Sequence, residues 1–82
     1  MKLAQYVDGV NKWIGLFGEG PLSLDNPQDR QAIADRIASD LSPENLTCDG
    51  ELSMSQVEYR RALLEQCLSE LREIDSTVSV NL

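Results

Sequence analysis

No histidine occurs in this 82-residue chain, which removes the commonest general base and the commonest transition-metal ligand together. What remains for chemistry is thiols and carboxylates. Cys48 and Cys67 lie 19 positions apart and form no CxxC pair, so the spacing of a zinc knuckle or of a thioredoxin-type dithiol is not present. A disulfide between them is one possible state, and two free thiols are the expected one in a reducing cytosol. Carboxylate pairs of the glycosidase kind need a cleft that holds a sugar, which three short helices rarely build. Asp49-Gly50-Glu51 has an acid-glycine pair like a calcium loop. It lacks the alternating ligands before the glycine and the glutamate six residues after it, so it reads as a turn. No catalytic, metal-binding or cofactor-binding constellation emerges, and the expectation is a protein that is not an enzyme.

The carboxylates are informative in another way. Between Glu19 and Glu58 stand nine of them against only Arg30 and Arg36, while the two flanks nearly cancel, so the whole net charge of −7 belongs to the middle of the chain. Such a segment repels nucleic-acid phosphates and anionic lipid, and direct binding to nucleic acid or membrane is not expected. No apolar run approaches the roughly 20 residues of a membrane span. The N-terminus leads into an amphipathic pattern in place of a signal-peptide core, so the expected compartment is the cytoplasm.

With 41% hydrophobic and 26% charged residues the composition is that of a folded globular chain, and its length allows one small domain. Leu3, Tyr6, Val7, Val10, Ile14 and Phe17 recur on one helical face, and Gly18 is placed to end that helix in a left-handed cap. Gly9 and Gly15 interrupt it at about 1 kcal/mol each relative to alanine. A loop follows over Glu19–Asp25. Asn26 and Pro27 then signal a second helix running to about Leu41, whose apolar face, Ile33, Ile37 and Leu41 with two alanines, is thin. Ser42-Pro43 repeats the signal and predicts a short extra helical turn, and Asp49-Gly50 a tight turn. The longest helix begins after Leu52, capped by Ser53 or Ser55 with Gln56 or Glu58 three residues on. It carries Val57, Leu64, Cys67, Leu68, Leu71 and Ile74 on one face, with Leu63 at the margin.

The expected fold is therefore mostly all-α: a three-helix domain over residues 1–75 with one extra turn. A C-terminal tail over 76–82 alternates polar and apolar residues as a strand does. Its only candidate partner is Leu22–Leu24, so it is expected either to fray or to add a minor β contribution. Acyl carrier proteins are also small, acidic and helical, but they need Asp-Ser-Leu at a helix start. Neither Glu51-Leu52-Ser53-Met54 nor Asp75-Ser76-Thr77 supplies it. A helix-turn-helix is excluded by the long, acidic connection between the second helix and the longest one.

Trp13 lies at the edge of the first helix's stripe and Leu16 well off it, and adjacent exposed apolar residues of this kind build partner surfaces. The simpler expectation is that Leu22, Leu24 or the tail folds over them. Arg60, in the stripe of the longest helix, is expected to bury its stem and to send its head to solvent or to a carboxylate of the acidic middle. Trp13, Leu16, Arg60 and Leu63 are the candidate interaction surface of a small acidic interaction or accessory module, its partner another protein or a second copy of the chain. Self-association follows if the thin second helix leaves the longest helix uncovered. The alternative reading is an acidic inhibitor that imitates nucleic acid in a basic groove.

Overall fold

The computed structural model describes residues 1–80. They form four helices, α1 (Lys2–Gly15), α2 (Pro27–Asp40), α3 (Pro43–Leu46) and α4 (Met54–Ile74). The all-α architecture and the extra turn near Pro43 agree with the sequence.

The helix starts are chemically specified. Asn26 is extended and its Oδ1 accepts the Gln28 N–H at 2.9 Å, with Pro27 supplying a first residue that has no N–H to satisfy. At α4, Ser53 Oγ accepts from Gln56 N while the Gln56 side chain accepts from Ser53 N, a complete capping box. Helix α1 has no side-chain cap of its own. Instead Glu70 of α4 takes the Leu3 N–H at 3.2 Å, so a carboxylate from another helix satisfies a first-turn donor and faces the positive end of the dipole.

Helices α1, α2 and α3 all pack on α4. Leu64, Cys67, Leu68 and Leu71 of α4 meet Leu3, Val7, Ile33, Ala34, Ile37 and Leu46 in one buried cluster. The face of α4 is thus covered within one chain, contrary to the condition on which self-association was expected. Its two ends depart from the predicted stripe: Val57 is half-buried, and Ile74, the last helical residue, is 47% exposed. Periodicity assigns a face but not the point at which the neighbouring helix runs out.

The tail corrects both expectations. No strand forms among the described residues, and the tail is packed as far as residue 80. Val78 is buried and belongs to the core cluster, and Val80 packs against it; residues 81 and 82 lie outside the described residues. The alternation is real, but the partner is a side chain: Gln31 of α2 donates its Nε2 to Ser79 O and accepts Ser79 N–H on Oε1, both at 2.9 Å. One carboxamide supplies the donor and acceptor that a neighbouring strand would have offered. The other extended segment is held identically. Asn11 of α1 accepts Leu22 N–H at 2.7 Å and donates to Leu22 O at 2.9 Å.

Asp75 turns the chain into this tail. Its Oδ1 accepts from both the backbone and the hydroxyl of Thr77, and Arg30 Nε of α2 lies 3.1 Å from its Oδ2. Helical spacing in the sequence also offers Arg72 to Asp75 and Arg61 to Glu58 and Glu65; among the described residues Asp75 pairs instead with Arg30, and Arg61 and Arg72 stand in no ion pair. The hydrogen bonds from Thr77, and secondarily the Arg30 charge, hold the Asp75 carboxyl below its ordinary value of 3.8 against the opposing effect of burial.

Two outcomes test this docking. Val78→Ala should cost about 2 kcal/mol in urea unfolding, as loss of buried methyl groups does; a frayed tail would leave stability unchanged. A carboxyl depressed in the folded state contributes stability that is complete above its unfolded value and is lost as pH falls through the folded one. Asp75→Asn should therefore flatten the loss of stability seen in acid below pH 3.8, which a pH series of thermal melts would show.

Candidate interaction surface

The loop after α1 decides whether Trp13 and Leu16 are covered. Helix α1 ends at Gly15, and Gly18 takes φ +77°, as its predicted role in the cap required. Asn11 then draws Leu22 back along α1. Residues 11 and 13 are roughly 200° apart around a helix, so the Asn11–Leu22 pair leads the loop along one side of α1 while Trp13 faces another. Leu22 and Leu24 pack on the core. Trp13 remains 53% exposed and Leu16 76%, and the expectation that the loop or tail folds over them is corrected.

A third residue joins them. Phe17 was placed on the buried stripe by helical period, yet it is 66% exposed, because the helix stops two residues earlier and the period no longer applies. Its ring meets Trp13 edge-to-face, with centroids 5.3 Å apart and planes at 69°. The sequence signal available for this was Gly15 followed by Gly18, which places the helix end ahead of Phe17. Other exposed apolar residues, Met54 and Tyr59 among them, lie apart on α4 and are ordinary for a protein surface.

Beside Trp13 runs a shallow groove of about 290 Å³ between α1 and α2, lined by Gln5, Tyr6, Gly9, Val10, Arg36 and Asp40. Tyr6 OH donates to Asp40 Oδ2 at 2.7 Å and ties the two helices together. Burial first, and then the Asp40 carboxylate, push the Tyr6 phenol well above its ordinary range, so it stays a protonated donor. Arg36 is half-buried and has no ion-pair partner among the described residues.

Arg60 and Leu63 do not join this surface through any hydrogen bond or ion pair. Arg60 is half-buried and its Nη2 donates to Asn45 O of α3 at 3.4 Å, so its head meets a carbonyl near a helix C-terminus and no carboxylate. Leu63 is half-buried at the margin of α4.

The thiols fall as the residue types suggested. Cys67 is fully buried and Cys48 exposed, both free. Burial, with the nearby Glu70 charge, pushes the Cys67 thiol up, which suits a small core residue and no nucleophile. Cys48 and Asp49 both take positive φ, 50° and 57°, ahead of Gly50 at 86°. The predicted Asp-Gly turn is therefore three successive left-handed residues, a conformation that aspartate and glycine tolerate and cysteine rarely adopts.

Among the described residues no group of histidine, cysteine or carboxylate side chains could hold a metal ion, and no helix is long and apolar enough to cross a membrane. Compared with known protein families, with curated proteins and with solved structures, the chain finds no match.

If Trp13 is an open surface residue, its native emission should be red-shifted and readily quenched by acrylamide. A blue-shifted, protected indole in a verified monomer would mean that the patch is covered.

Proposed function

We propose that this protein is a small interaction module that engages another protein through the C-terminal end of α1, with Trp13, Leu16 and Phe17 as anchors. The observation that supports this reading is a cluster of three large apolar side chains left in water although an apolar loop passes along the same helix. Leaving that area exposed forgoes roughly 25 cal/mol per Å², and exposed apolar patches of this kind mark sites of association. Aromatic side chains at the centre of such a patch carry most of the energy when an interface forms. The acidic surface makes a protein a better partner than nucleic acid or an anionic membrane.

One observation favours a second reading, in which the carboxylates themselves occupy a basic groove. In the segment from Glu19 to Glu58 no carboxylate belongs to an ion pair, and Glu44, Asp49, Glu51 and Glu58 are exposed around α3 and the start of α4. These charges are uncommitted. Charge of this kind also serves solubility alone.

One experiment separates the readings: affinity capture with the wild-type protein and Leu16→Asp, each in low and high salt. Leu16 is so exposed that the substitution should change stability by no more than about 0.5 kcal/mol. Under the first reading Leu16→Asp loses the captured partner and high salt does not. Capture that survives Leu16→Asp and collapses in high salt would transfer the function to the acidic surface.

A further inference from the structure

Three arginines of this chain are half-buried, Arg30, Arg36 and Arg60, and the fold uses two of them. Arg30 donates to Leu24 O at 3.1 Å and pairs with Asp75, and Arg60 donates to Asn45 O. Arg36 has no hydrogen-bond acceptor and no carboxylate partner among the described residues. None of its nitrogens is among the buried unpaired polar atoms, which belong to Arg30 and Arg60. Its stem is therefore held part-way into the surface while its donors stay open to water.

That open guanidinium stands in the groove between α1 and α2 that Trp13 also lines. Of the two charged groups lining the groove, Asp40 is committed: its Oδ2 accepts from the Tyr6 hydroxyl at 2.7 Å, and it forms no ion pair with Arg36. The Arg36 charge is felt at Tyr6, where it opposes the upward shift of the phenol, so it sits close to that bridge. Gly9 leaves room beside them, since a Cβ built there meets nothing within 4 Å. Bare helix backbone lets a second chain approach closely.

The occupant follows from the one uncommitted charge. A guanidinium fork matches a carboxylate, and a pair formed beside an indole is screened less than one on an open surface. An incoming ammonium would instead meet a like charge. The rest of the chain, with its net charge of −7, repels a highly acidic partner at a distance, so what fits is a single carboxylate in a mostly apolar segment. A second copy fits less well. In a two-fold contact each groove meets its copy, so Arg36 is offered only an Asp40 that already holds Tyr6, and two chains of the same net charge must approach.

Resting on the reading of the α1 end as an interaction surface, we infer that its partner is a peptide segment of another protein that seats one carboxylate on Arg36 and an apolar side chain against Trp13.

The test uses the intact protein as bait for a displayed library of random linear peptides. Selected peptides, and versions with each acid replaced by its amide, are titrated against wild type, Arg36→Gln, Arg36→Glu and Leu16→Asp, following Trp13 emission. The result expected is an aspartate or glutamate at a fixed spacing from an apolar residue, and a blue shift of Trp13 on binding. Arg36→Gln and removal of that acid should each weaken binding about tenfold or more, as loss of a charge-assisted pair does, and the two losses should not add. Arg36→Glu should select lysine or arginine at the same position. Non-additivity separates a direct pair from damage to the groove, which would give losses that add. An empty selection, a consensus without a carboxylate, or additive losses overturns the inference. If binders that lack the carboxylate still fail on Leu16→Asp, the patch stands as an interaction surface and only its occupant is wrong; if they ignore Leu16→Asp as well, both fall. Doubling of the wild-type mass that Arg36→Gln abolishes would make a second copy the occupant and also overturn it.

Discussion

The fold depends on one shared surface. Helix α4 presents Leu64, Cys67, Leu68 and Leu71 to all three other helices, and α2 brings to it only Ile33, Ala34 and Ile37 as fully buried residues. So narrow a face does not close a core by itself. Two non-helical segments complete it, Leu22–Leu24 and the tail, with Val78 inside the core and Leu22, Leu24 and Val80 packed against it. Each is fixed by one carboxamide, Asn11 or Gln31, that pairs with both the N–H and the C=O of a single residue. Extended backbone near a core needs its polar groups satisfied. In a chain too short to form a sheet, a helix side chain does this for one residue at a time.

That device separates what was legible in the sequence from what was not. The starts of α2 and α4 were readable because a cap is local: Asn26 with Pro27 and Ser53 with Gln56 involve residues two or three apart. The pairing of Gln31 with Ser79 spans 48 positions, and alternation in the tail revealed a period of two without naming the partner. Asp75 shows the same limit, since Arg72 is close to it in sequence whereas its partner Arg30 is close in space. Phe17 and Ile74 show a different failure. Both fit the apolar stripe of their helix, and both are exposed because the stripe was extended up to or past the helix end.

The candidate surface was half legible. Trp13 and Leu16 stood out by their positions on the helix, but their exposure depended on the path of the loop, and the loop's path depends on Asn11. Helical geometry then makes the outcome intelligible, because an anchor at position 11 pulls the chain to the side of α1 away from position 13. Arg60 and Leu63 were chosen by the same reasoning of residues slightly out of place. The structure gives Arg60 a backbone carbonyl and Leu63 partial burial.

The carboxylates divide by the work they do. Glu70 satisfies the start of α1, Asp40 receives Tyr6, Asp29 accepts the Ser23 N–H, and Asp75 gathers Thr77 and Arg30. These four hold elements together through hydrogen bonds at short range, where they resist screening. Of the remainder, only Asp8 stands in an ion pair among the described residues, with Lys12 on an exposed face, a contact worth little. The fold therefore does not rest on its surface charge. Among the described residues the exposed carboxylates around α3 stand in no ion pair and no segment covers Trp13, Leu16 and Phe17; on the proposed interaction reading the charge would act on the sign of a partner and its rate of encounter, and the patch on the affinity once contact is made.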